Sequence, residues 1–177
     1  TVSSVEAPVA QALSLDPDRM AVFGYAHVPW LKPHQRMIDE AALPSGRERF
    51  KQAQVAAAII KEAGYEAVGF DHFAKPTDSL ARAARQGQLH RNFQGYTTDE
   101  ATILIGFGAS AISRFPQGYL QNTVPTANYQ QQVANGGTAV ARGYRFTEDD
   151  RIRGYVIERL MCDFAVSQEM VKVRYGT

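Results

Sequence analysis

The chain has 177 residues, 45% of them hydrophobic, with 19 basic against 18 acidic side chains and a formal charge of +1. That is enough apolar content for one packed core with an appendage, and too even a charge for the basic footprint of a nucleic-acid binder. Cys162 is the single cysteine, which excludes an internal disulfide and a metal site built from cysteines of this chain, and fits a reducing, cytoplasmic setting. No stretch approaches the ~20 apolar residues of a membrane span, and residues 1–17 have neither the basic nor the apolar region of a signal peptide.

Residues 1–19 mix Ser, Ala, Pro and Asp and are expected to be a loose leading segment; a chain opening in this way, on Thr1, suggests a fragment of a longer protein. Residues 20–25 read as a short buried strand running into a stiff loop, His27-Val28-Pro29, with Trp30, Leu31, Lys32 and Pro33 behind it. Ser45 as N-cap, Glu48 as the matching capping-box residue, the apolar Phe50, Val55, Ile59 and Ile60, and the stop at Gly64 predict a helix over 46–63. A second strand, 67–70, ends in Asp71-His72-Phe73-Ala74. A helix from Thr77 or Asp78 carries Arg82 and Arg85 and breaks at Gly87. Residues 90–98 read as a functional loop and 103–107 as a third strand. After Gln121 two helical stretches, 126–135 and 148–164, the latter capped by Thr147, predict a helical tail.

Strand alternating with helix is the rhythm of a parallel α/β sheet, whose functional residues gather at the carboxyl ends of the strands. The division expected is 1–19 loose, 20–125 α/β, and 126–177 a small helical C-terminal domain.

The run His90-Arg91-Asn92-Phe93-Gln94-Gly95-Tyr96-Thr97-Thr98 concentrates cations for carboxylates or phosphates, rings for a flat ligand, amides and a glycine, far more chemistry than a turn requires. Gly106 to Ala111 matches G-x-G-x-x-A, the dinucleotide fingerprint. It lacks the acidic residue about 20 positions on, so packing glycines are the plainer reading. The same stretch falls one glycine short of a serine-nucleophile elbow around Ser110. His27, His34, Asp71, His72 and His90 have no metal-ligand spacing, and no metal site is expected from this chain's own residues. Arg82 and Arg85 are expected on a solvated face, and Cys162 beside Leu160 in a core.

Four ordered motifs carry a specific likeness. Tyr25-Ala26-His27-Val28-Pro29 followed by Lys32-Pro33-His34-Gln35, then Gly69 to Ala74, then His90 to Thr98, then Gly106 to Ser113, resemble the second half of the oxygen-independent coproporphyrinogen III oxidases. These are radical S-adenosylmethionine enzymes of haem biosynthesis. The resemblance covers about 20–164. It implies the later part of an incomplete TIM-like radical S-adenosylmethionine barrel with its sheet extension, and a helical C-terminal domain behind. Family members convert two propionates of coproporphyrinogen III to vinyl groups with loss of carbon dioxide, giving protoporphyrinogen IX. A 4Fe-4S cluster reductively cleaves S-adenosylmethionine, and the 5′-deoxyadenosyl radical removes a propionate hydrogen.

By that resemblance Ala26 would touch the cluster-bound S-adenosylmethionine, while Phe93, Gln94 and Ile112 match positions that hold a second one. His90 and Arg91 are candidates for pairing with substrate carboxylates. The family binds its cluster through Cys-x3-Cys-x2-Cys in the first half of the barrel, which this chain lacks, so the chain alone should be inactive and its open strand edges should favour self-association. The resemblance also implies a flavodoxin- or ferredoxin-type electron donor, a cytoplasmic location and a monomeric whole enzyme. Two other readings stay open: a free-standing protein that binds S-adenosylmethionine or a haem precursor without a cluster, and a dinucleotide-dependent reductase built on the 106–111 glycines.

Overall fold

The computed structural model describes residues 3–176. They divide between Leu89 and His90 into two compact units.

The first unit opens with α1 (Ser3–Leu13), so most of the segment expected to be loose is helical. β1 (Arg19–Ala21) follows, then α2 (Gly46–Glu62), β2 (Glu66–Val68), β3 (His72–Ala74) and α3 (Ser79–Arg85). α2 forms where its cap predicts. The Ser45 side chain accepts from the Glu48 N–H while the Glu48 carboxylate accepts from the Ser45 N–H, and Gly64 takes a positive φ of 91° just beyond the helix end. Val9 of α1, Ala56 and Ile60 of α2, Tyr65 and Phe73 make the core. Phe50, expected on the inner face, is instead 64% exposed, because the residues that turn inward are the smaller Ala56 and Ile60. The Tyr65 hydroxyl donates to the Pro17 carbonyl at 2.5 Å and anchors the approach to β1.

β3 lies between β1 and β2 and is antiparallel to both, so the parallel pairing expected from the strand–helix rhythm does not occur. The cause is local. Only Gly69, Phe70 and Asp71 separate β2 from β3, too short for the crossover of a dozen or so residues that parallel neighbours need. β1 and β2, joined through α2, still run in the same direction, each opposed to β3. His72 is therefore the first residue of β3, opposite Ala21 and Val68 in the two ladders, and its Nδ1 lies 2.7 Å from Asp71 Oδ1.

The second unit is richer in strand than expected. Residues 90–98 are a β-hairpin, β4 (His90–Asn92) and β5 (Gly95–Thr97), with Phe93 and Gln94 as its two-residue tip. β6 (Ile112–Phe115), β7 (Gly118–Asn122) and β8 (Val140–Arg145) form an antiparallel sheet in that order. α4 (Thr126–Ala134) sits between β7 and β8 in sequence. α5 (Glu148–Asp163), capped by Thr147, and α6 (Gln168–Tyr175) complete the unit. β8 thus lies inside the stretch 126–177 that was expected to be a small helical domain. Residues 103–107 form no strand; they hold a single bridge, Leu104 to Arg114. Ile103, Ile105 and Phe107 are correspondingly exposed.

Gly118 is required by contact: a Cβ there would stand 1.9 Å from the Tyr144 carbonyl oxygen of the neighbouring strand. Cys162 is buried in α5, and burial pushes its thiol up to about 11.

Candidate functional site

Two surfaces carry the residues singled out by sequence, one in each unit. In the first, β1 ends at Ala21 and Val22 N–H donates to the Asp71 carbonyl at 2.8 Å; residues 23–28 then belong to no strand. What orders them is a side chain. A short 3-10 helix, Pro33–Met37, starts on Pro33, whose fixed φ suits a helix entry, and it buries Gln35. Gln35 Nε2 donates to the Ala26 carbonyl at 3.1 Å and its Oε1 accepts from the Val28 N–H at 2.6 Å. Ala26 itself is exposed.

Between those two bonds stands His27. Its Nδ1 is 3.1 Å from the Tyr25 hydroxyl and its Nε2 is 3.1 Å from Glu40 Oε1. The tautomer protonated on Nε2 satisfies both partners, with Nε2–H donating to Glu40 and Nδ1 accepting from Tyr25. Tyr25 and His27 line a cleft of about 630 Å³ together with Phe23, Ile38, Arg49 and Gln52.

In the second unit the hairpin tip presents Phe93 and Gln94, both exposed, with Asn92 Oδ1 accepting from the Gln94 N–H at 2.8 Å to set the turn. The Phe93 ring stands edge-to-face on Tyr119, with centroids 4.8 Å apart, and Tyr119 stands likewise on Phe146 at 4.6 Å. Tyr119 opposes Arg114 and Ile112 opposes Gln121 in the ladder, so Tyr119 and Ile112 share one face of the sheet. Phe93, at the hairpin tip beside Gln94, therefore packs on a ring that shares its sheet face with Ile112. An exposed ring, a primary amide and an apolar side chain there suit an adenosyl or methionyl group.

His90 and Arg91 are engaged within the fold. His90 Nδ1 lies 3.0 Å from Glu158 Oε1, the Arg91 N–H donates to the same oxygen at 3.4 Å, and the Arg91 guanidinium lies over the Tyr96 ring at 5.3 Å. The Tyr96 hydroxyl donates to the Met161 carbonyl at 2.9 Å. These contacts tie the hairpin to α5. Sequence reasoning passed over Gln35, Glu40, Tyr119 and Glu158. Only Gln35 carried a signal, its place in the Lys32-Pro33-His34-Gln35 motif.

The glycine-rich stretch 106–111 opens no helix, and its N–H groups are spent inside the unit. Gly106 N–H donates to Ser113 Oγ at 3.0 Å, Gly108 N–H to the Tyr129 hydroxyl at 3.1 Å, and Ser110 N–H to the Thr123 carbonyl at 2.9 Å. A Cβ on Gly106 would meet the Ile112 carbonyl oxygen at 2.7 Å. Gly106 is a packing glycine and Gly108 serves a turn at a positive φ of 106°, and the pyrophosphate cradle of a dinucleotide reductase is absent from them. Arg82 and Arg85 serve the fold: Arg82 caps the Thr77 carbonyl at 2.8 Å, and Arg85 pairs with Glu66 and donates to the Pro76 carbonyl. Among the described residues no three of His, Cys, Asp and Glu converge as metal ligands. A 4Fe-4S cluster takes thiolates, and the one thiol here is a buried core group, so this chain's residues do not fit a cluster.

No protein-family profile matches the chain. Individual relatives do. It is 51% identical over 176 residues to the oxygen-independent coproporphyrinogen III oxidase of Bradyrhizobium diazoefficiens, covering 99% of this chain and 39% of that protein. A Cereibacter sphaeroides protein of the same name is 49% identical over 173 residues, covering 98% of this chain and 38% of its own length. Among solved structures, coproporphyrinogen III oxidase (HemN) from Escherichia coli, described as a radical SAM enzyme, superposes with a TM-score of 0.91 at 42% identity, covering 100% of this chain and 41% of that one. The chain spans about two-fifths of the length of the curated relatives it matches. Sequence and fold agree along its whole length: throughout its described residues the chain is similar to one part of the oxygen-independent coproporphyrinogen III oxidases.

Proposed function

We propose that this chain is the C-terminal part of an enzyme that decarboxylates two propionates of coproporphyrinogen III to vinyl groups, and that its share of the work is to bind and orient S-adenosylmethionine. The observation that carries the reading is the match at 51% identity across 99% of the chain, joined to a TM-score of 0.91 with the Escherichia coli enzyme. When bound, S-adenosylmethionine and a cluster held by cysteines outside this segment supply the radical that attacks the propionate. Ala26 is assigned to one S-adenosylmethionine contact, on backbone ordered by Gln35. Phe93, Gln94 and Ile112 are assigned to another, with the ring and amide aimed by the hairpin tip. His90 and Arg91 are held with that hairpin through Glu158 and Tyr96 and are assigned to the substrate carboxylates.

The isolated segment is expected to be inactive and the whole enzyme to draw electrons from a flavodoxin- or ferredoxin-class donor. No described helix is long and apolar enough to cross a membrane. A cytoplasmic, monomeric enzyme is the reading that accompanies the single cysteine and the family.

The test is the intact protein, purified anaerobically. Iron near four per chain, conversion of coproporphyrinogen III that depends on S-adenosylmethionine, and loss of conversion in the double variant Phe93→Ala, Gln94→Ala are expected. A native protein near 19.5 kDa that is free of iron and binds S-adenosylmethionine without turnover would replace this reading with the stand-alone binding module.

A further inference from the structure

Residues 23–28 pose a physical problem: they run past the end of β1 without a neighbouring strand, yet Ala26 must hold one orientation if it is to meet a ligand repeatedly. Backbone with no ladder samples many conformations, and ordering it carries an entropic cost at every residue. The structure supplies a substitute ladder. One carboxamide, Gln35, gives a donor to the Ala26 carbonyl at 3.1 Å and takes the Val28 N–H at 2.6 Å. That is the pattern of donor and acceptor an adjacent strand would provide. Gln35 is only 9% exposed, and its helical turn is entered through Pro33, so the amide is itself held firmly. Tyr25 and Glu40 then fix the ring of the intervening His27 from both sides.

We propose that Gln35 is a positioning residue, which sets the peptide planes flanking His27 and thereby the affinity of the Ala26 surface for S-adenosylmethionine. The proposal rests on the assignment of Ala26 above, and its test separates the two. Leucine at this position matches the bulk of glutamine and makes neither bond. Glutamate keeps an acceptor for Val28 but turns a carboxylate oxygen toward the Ala26 carbonyl. Once protonated, it regains an O–H donor.

The experiment uses the intact enzyme carrying Gln35→Leu or Gln35→Glu, with Val28 amide hydrogen exchange, S-adenosylmethionine affinity and cluster iron as readouts. In Gln35→Leu, Val28 exchange is expected to accelerate and the S-adenosylmethionine Kd to rise about tenfold, the size of one lost hydrogen bond, with iron content unchanged. In Gln35→Glu, affinity is expected to improve as pH falls through the carboxyl's titration, a profile the wild type lacks and a merely structural role would not produce. Wild-type exchange and wild-type affinity in Gln35→Leu overturn the proposal. So does a Gln35→Glu affinity that is weakened but flat with pH, which also decides the matter if the leucine variant fails to fold. If Val28 protection is lost in Gln35→Leu while S-adenosylmethionine affinity is unmoved, the clamp stands and the Ala26 assignment falls.

Discussion

The two units position their candidate ligand residues by opposite means. In the first, Ala26 lies on backbone outside any strand, and a single buried amide from a neighbouring turn does the ordering. In the second, Phe93 and Gln94 cap a paired hairpin that is braced by Tyr119 on one side and by Glu158 on α5 on the other. A loop held by one side chain is cheap to perturb and specific in its response. A hairpin with several braces loses each one with a smaller local effect. The first arrangement rests the order of the loop on one side chain, and the second spreads it over several contacts.

This contrast is broken most severely at Gly118. Gly118→Ala forces a Cβ to 1.9 Å from the Tyr144 carbonyl, and a loss of about 4 kcal/mol or more is expected. Thermal melting with residue-resolved hydrogen exchange should show β6 to β8 opening. In the first unit, Ile60→Ala empties a fully buried site and should cost about 3 kcal/mol in a denaturant titration. The cost should appear in the exchange of α2 and β3.

Glu158→Ala removes the acceptor shared by His90 and the Arg91 N–H, and should cost about 1.5 kcal/mol. Amide exchange of residues 90–97 should rise together, whereas a rise limited to Arg91 would show the other braces suffice. Ser45→Ala should remove about 1 kcal/mol from the α2 start.

That capping box also predicts a pH response. The Ser45 backbone N–H, and then its hydroxyl, hold the Glu48 carboxyl below its ordinary 4.5. A carboxyl lowered in the fold stabilises it fully above the unfolded-state value, and the contribution is lost as pH falls through the lower folded value. Acid should therefore loosen the first turn of α2, and Ser45→Ala, which removes the hydroxyl but keeps the backbone N–H, should weaken that response without abolishing it in helix content measured from pH 6 downward. The mildest effect concerns Cys162. With its thiol near 11, about one in a thousand is ionised at pH 8, so alkylation should be slow in the fold and fast after denaturation. Rapid labelling of the native chain would show α5 opening.

Legibility in the sequence followed how local each determinant was. α2, α4 and α5 were readable to within a residue or two because caps and helical periodicity act over a few neighbours. α1 was missed because Pro8 and a run of small residues hide its apolar side, which becomes plain only where Val9 meets Ile60 and Phe73. The hairpin at 90–97 was read as functional but not as strand, since its three-residue arms are too short to show alternation. Residues 103–107 are a short apolar run, Ile-Leu-Ile-Gly-Phe, yet found only a single bridge. An apolar run states what a segment can bury, not whether a partner strand is there.

From sequence alone came the likeness to the family, the motifs that carry Ala26, Phe93, Gln94 and Ile112, and the lack of cluster-binding thiols, because these depend on residue identity and order. Tertiary structure decided that β3 would separate β1 from β2, that Phe93 would pack on Tyr119, which shares a sheet face with Ile112, that His90 and Arg91 would contact α5 and Tyr96, and that Gln35 would order the backbone of Ala26. Each of those depends on which distant groups are brought within hydrogen-bond or van der Waals reach, and pattern along a chain does not contain that distance.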